Sequence, residues 1–124
     1  MSAPKGDVAM NLLIEPRKAA GVTILHLNGR IVLGEETSRL EETLRELAAI
    51  GEKKVLLNLR TVTDIDSAGL AALVRCHSAV AEQGGRLKLL NVPPRIQSRL
   101  HITKLHTVFE MFDNEVSAVQ SFTV

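Results

Sequence analysis

Apolar positions along this chain switch between two spacings, and the switches mark out its elements. Residues 8–15 and 22–33 read as extended, separated by a turn around Lys18 to Gly21. The run Val22-Thr23-Ile24-Leu25-His26-Leu27 is dense in β-branched and apolar side chains, as a strand requires. Asn28-Gly29 is expected to break that strand, with Arg30-Ile31-Val32-Leu33 resuming it briefly. From about Glu36 the period lengthens. Leu40, Leu44, Leu47 and Ala48 recur at three and four, the spacing of one helix face. Ser38 followed by Glu41 fits a capping box, Glu41 and Arg45 stand one turn apart, and Gly51 is a stop after Ile50.

Residues 55–59 (Val-Leu-Leu-Asn-Leu) form a short, nearly all-apolar strand of the kind covered on both faces in a parallel sheet. Leu70, Leu73, Val74 and Val80 then predict a second amphipathic helix, ended by Gly84-Gly85. Residues 86–92 return to strand and are halted by Pro93-Pro94. Proline suits a first helical turn, so a third helix is expected from Pro94 to about Ile102, with Ile96 and Leu100 inward. Residues 108–112 read as extended, and a last helix over 114–122 presents Val116, Val119 and Phe122. Strands and helices alternating in this order predict a single α/β domain over 8–122, with a mixed, mostly parallel sheet. Residues 1–7 are expected to be a flexible start.

Composition narrows the function. Fifteen basic against 14 acidic residues leave a net charge of +1, with no basic block, no Trp or Tyr and three Phe. A nucleic-acid surface needs a positive stripe or stacking aromatics, so direct nucleic-acid binding is not expected. No apolar run approaches the about 18 residues of a membrane span, and the start lacks the layout of a signal peptide. The lone Cys76 cannot pair within the chain and falls among apolar neighbours, which suits a reducing, cytoplasmic setting and an inert thiol. His26, His77, His101 and His106 share no ligand spacing, and a five-residue step sets His101 and His106 on different sides of a helix. No metal is expected. No glycine-rich phosphate loop follows a strand either, so no cofactor is expected.

The stretch Asp64-Ile65-Asp66-Ser67-Ala68-Gly69 stands out where a strand hands over to a helix. A serine hydrolase would place its nucleophile there, but its elbow wants glycine two residues before the serine, and here stands Ile65. Asp66 or Ser67 can cap the helix, which leaves the other without a task. Gly69 costs about 1 kcal/mol against alanine in a helical turn. It has a use where another chain or the neighbouring strand approaches closely.

Asp66-Ser67-Ala68-Gly69-Leu70, behind Asp64 and an apolar strand, resembles the signature of the STAS domain family. More narrowly, the chain is similar to the bacterial anti-sigma factor antagonists. The likeness spans most of the sequence and takes in Leu27-Asn28-Gly29-Arg30, Asn58-Leu59, residues 85–91 and Ile102-Thr103-Lys104-Leu105. It implies a STAS fold without catalysis of its own, acting in partner switching that regulates transcription. The implied partner is an anti-sigma factor serine/threonine kinase, bound while Ser67 is unmodified and released once Ser67 is phosphorylated. The expected docking face joins Asp64, Asp66, Ser67, Ala68 and Gly69 to Asn28, Gly29 and Arg30, with Arg75, His77 and Ser78 at its edge. A monomer or weak dimer is expected. Many family members carry Ser or Thr in place of Ala68, and acidic or aromatic residues in place of Ile31-Val32-Leu33-Gly34, which bears on partner choice. The alternative within the family is an unphosphorylated scaffold subunit of a transporter or signalling complex.

Overall fold

Strand β4 (Lys54–Ile65) occupies the middle of the molecule, and its side chains show why it needs cover on both faces. Val55, Leu56 and Leu57 are consecutive and all fully buried, so alternate residues must find apolar partners on opposite sides of the sheet. The computed structural model describes residues 7–9 and 11–123. Strands β1 (Asp7–Ala9), β2 (Leu12–Ala19), β3 (Val22–Ile31), β4, β5 (Arg86–Leu90) and β6 (Met111–Phe112) lie in one sheet in sequence order. The pairs β1/β2 and β2/β3 are antiparallel, while β3/β4, β4/β5 and β5/β6 are parallel. The fold is the expected α/β domain with a mixed, mostly parallel sheet. Residues 1–6 of the expected loose start lie outside the described residues, and Asp7 already belongs to β1.

Helices α1 (Glu35–Ala49), α2 (Ser67–Glu82) and α3 (Pro94–Ile102) enclose the larger core against the sheet. Leu40 and Leu44 of α1 meet Leu70, Leu73, Cys76 and Val80 of α2 over Leu25, Leu27, Val55, Leu57 and Leu89. Helix α4 (Glu115–Gln120) and the 3-10 turn after it contribute Ala118 and Phe122 to a smaller core with Val22, Ile24, Leu56 and Leu90. Lys88 lies beneath that second layer with only 3% of its surface exposed. Its ammonium donates to the carbonyl and hydroxyl of Ser121 at 3.2 and 2.9 Å, and stands 4.7 Å from the Phe122 ring centroid. A buried cation needs such partners, and they fasten the chain end to β5.

Several local expectations need correction. The extended stretch expected over 8–15 is two strands, β1 and β2, and β2 runs on through Lys18 to Ala19, so the turn is confined to Ala20 and Gly21. Asn28-Gly29 does not break β3; the strand runs on to Ile31 and absorbs the irregularity as register shifts against β4. The carbonyl of Asn11 sits 2.0 Å from where a Cβ on Gly29 would lie, and it accepts the Arg30 amide at 2.8 Å. Glycine is there to let two backbones approach. Strand β4 continues well past Leu59 to Ile65, because Val62 and Ile65 are also buried. The capping box does not form: α1 starts at Glu35, Gly34 stands at the cap, and Ser38 is inside the helix. Glu35 and Glu36 occupy the first turn instead, where negative charge suits the helix dipole. Finally, residues 108–110 are not strand; a 3-10 turn at Leu105–Thr107 precedes a β6 of two residues. Among the described residues no helix is long and apolar enough to cross a membrane.

Candidate functional site

Asp66 settles which residue caps α2. Its Oδ1 accepts the Gly69 amide at 2.8 Å, and its backbone is extended as an N-cap should be. Its other oxygen accepts the Leu33 amide at 3.0 Å, from the loop between β3 and α1. One carboxylate therefore ties the start of α2 to a loop contributed by a different crossover. Those backbone amides, Leu33 first and Gly69 after it, hold the Asp66 carboxyl below the ordinary aspartate range against the opposing effect of burial. A group with a lowered folded pKa stabilises the fold above its unfolded pKa of about 3.9, and that contribution is lost as pH falls through the folded value. Asp66→Ala is expected to cost about 1–2 kcal/mol at pH 7. Urea titrations should show the gap to wild type closing below about pH 4; a gap independent of pH would contradict this account.

With Asp66 occupied in capping, Ser67 is released from that task. It is the first residue of α2 and it is exposed, and its hydroxyl bonds to no other described residue. Ala68 follows, half-buried, and Gly69 is buried. A Cβ on Gly69 would lie 2.0 Å from the Ile31 carbonyl oxygen and 2.7 Å from Cγ1 of Ile65. The close approach is thus by the neighbouring strand of the same chain, one of the two uses its position suggested.

The remaining candidates gather partly around this turn. Arg30 and Asp64 face each other in the β3/β4 register and form a loose ion pair at 3.8 Å, while Asp64 Oδ1 also accepts the Ile65 amide at 2.9 Å. Gly29 pairs with Val62, and its carbonyl accepts from the Thr63 hydroxyl. Asn28, also exposed, lies further back, level with Thr61. Arg75 is not a free edge residue, because its guanidinium grips both oxygens of Glu41 on α1 at 3.0 and 2.9 Å. That contact also displaces the expected local pairing of Glu41 with Arg45, and holds the Glu41 carboxyl below its usual range. His77 is half-buried edge-on against Phe109. Ser78 remains exposed.

Sequence reading missed the other side of the site. Ser67 shares a concavity of about 490 Å³ with Leu70 of α2 and with Arg95, Arg99 and Ile102 of α3. Ile102 is 80% exposed, and Leu33, beside Asp66, is 77% exposed. Ile102 thus sets a large apolar side chain in water on the rim of the concavity that holds Ser67. No sequence signal joins α3 to Ser67, since the link is made only when both helices pack on the sheet. Among the described residues no histidine lines this concavity.

His101 and His106 do come together, their rings stacked with centroids 4.1 Å apart. Their five-residue step does not span one helix: α3 ends at Ile102 and the chain reverses through Lys104 in a left-handed conformation. Among the described residues no group of three or more His, Cys, Asp or Glu is placed to hold a metal ion. Cys76 is buried, and burial pushes its thiol up to about 12, so it is unreactive at neutral pH.

Comparison with known proteins agrees with this architecture. The STAS domain model matches residues 14–118. An anti-sigma F factor antagonist of Paenibacillus polymyxa is 27% identical over 120 residues, covering 93% of this chain and 98% of that protein. Among solved structures, a candidate anti-sigma factor antagonist of Thermotoga maritima superposes with a TM-score of 0.82 at 21% identity, covering 90% of this chain and 95% of its own. The Bacillus cell fate determinant SpoIIAA in its phosphorylated form gives a TM-score of 0.68 at 16% identity, covering 89% and 97%.

Proposed function

Because this chain belongs to the STAS domain family, we propose that it is an anti-sigma factor antagonist that binds its anti-sigma factor with Ser67 unmodified and lets go when Ser67 is phosphorylated. The observation that carries the reading is the uncommitted, exposed hydroxyl of Ser67 beside a cap that Asp66 supplies alone. The similarity to an anti-sigma F factor antagonist supports it, as does the fold shared with SpoIIAA, which has been solved both phosphorylated and unphosphorylated. The chain itself performs no catalysis in this scheme. The Ser67 oxygen attacks the γ-phosphorus of ATP held by the anti-sigma factor kinase, ADP leaves, and the hydroxyl proton passes to a base of the kinase.

Docking then fails for a local reason. Unmodified, Ser67 offers a small neutral group in a concavity shared with Leu70 and Ile102. Phosphorylation adds a charge of about −1.5 to −2 and a larger volume in the middle of that face. The positive end of the α2 dipole favours the anion by up to about 1 kcal/mol, so the fold survives. A partner surface shaped for a hydroxyl does not tolerate it.

Incubation of the chain with its cognate anti-sigma factor and ATP, read by intact mass, is the direct test. One phosphate is expected on the wild type and none on Ser67→Ala. An unchanged mass would favour the scaffold role, in which a STAS subunit docks without being modified.

A further inference from the structure

Arg95 and Arg99 stand four residues apart on α3, one above the other on the same helix face. Both are exposed, both line the concavity that contains Ser67, and among the described residues neither guanidinium has a hydrogen-bond or ion-pair partner. Arg99 lies in the last turn of α3, where the helix dipole favours a cation, but two features of the arrangement work against the helix. Like charges at this spacing repel. Arg95 also lies in the first turn of α3, which holds no acidic residue, where the helix dipole disfavours a cation. Nearby carboxylates offer no relief. Asp66 is held by the Leu33 and Gly69 amides, and Asp64 faces Arg30. Two unpaired guanidiniums beside one hydroxyl are matched by a tetrahedral dianion on that hydroxyl, since planar guanidinium forks bind phosphate oxygens in pairs.

We infer that Arg95 and Arg99 are the receptor, within the same chain, for the phosphate on Ser67, and that pairing draws both side chains across the groove lined by Leu70 and Ile102. This rests on the reading of Ser67 as the phosphate acceptor and gives that modification a second action. Phosphorylation adds charge to the docking face and also covers its apolar floor with α3's own arginines. An unpaired phosphate in this place would meet Asp64 and Asp66 and gain nothing from α3.

The test uses full-length chain with phosphoserine installed at residue 67 during synthesis, so that no kinase is needed. The second ionisation of that phosphate is followed by phosphorus NMR against pH, with Arg30, Asp64 and Asp66 unchanged throughout. A free phosphoserine titrates near pH 6. The wild-type midpoint is expected at least about half a unit below that of an Arg95→Gln/Arg99→Gln chain, because guanidiniums favour the dianion. Single substitutions should each recover part of the shift, and they carry the test if circular dichroism shows the double variant unfolded. Equal midpoints in all chains would overturn the receptor while leaving phosphorylation by a kinase intact. No mass gain with kinase and ATP would overturn the switch while leaving these midpoints as measured.

Discussion

Gly69→Ala should destabilise the protein by about 2–3 kcal/mol, where helix propensity alone would make it more stable by about 1 kcal/mol. The two effects have opposite signs, and geometry decides between them. The added methyl would lie 2.0 Å from the Ile31 carbonyl oxygen and 3.0 Å from its carbon, both backbone atoms at the end of β3. No rotamer relieves a clash with main chain. The end of β3 is paired in register with Ile65, so it cannot retreat without disturbing β4. The other escape is for α2 to lift off, which strains the Asp66 cap and exposes Leu70 and Leu73. In a domain of this size the loss corresponds to a fall in Tm of about 10 °C. Chemical denaturation of the two chains measures it, and a variant as stable as wild type would refute the close packing of α2 on β3.

The second large effect is on binding alone. Ser67→Asp is expected to weaken the complex with the cognate anti-sigma factor by about a hundredfold, equivalent to about 2.8 kcal/mol. Its own folding stability should move by no more than about 0.5 kcal/mol, because Ser67 is exposed and bonds to nothing that the substitution would remove. Ser67→Ala should bind close to wild type and resist modification. Titration calorimetry on the three chains separates the effects. An aspartate variant that binds as tightly as wild type would show that charge at this point does not gate docking.

Much of this was legible in the sequence because local signals and tertiary structure agreed. The apolar run of β4, the period of α2 and the acid-serine-small-glycine turn each carry their meaning within a few residues. The departures share a cause. Asn28-Gly29 looks like a break, yet β3 passes through it because Asn11, from another strand's approach, supplies a close backbone partner. The dense apolar run stops at Leu59, yet β4 continues because β3 beside it still offers hydrogen bonds as far as Ile31. Arg75 looks like a solvent-facing residue of α2 until α1 places Glu41 against it. Half of the candidate site was hidden in the same way: Arg95, Arg99 and Ile102 reach Ser67 only through the packing of α3.

The double grip of Asp66 on Leu33 and Gly69 also bears on how fast a complex can form. A segment already frozen in its bound shape charges little entropy at the encounter, so a collision has only to orient two rigid surfaces. Severing that carboxylate would set the β3–α1 segment fluctuating. A partner would then have to wait for the competent shape to recur, and the penalty would appear in the association rate constant before it appeared in the lifetime of the complex.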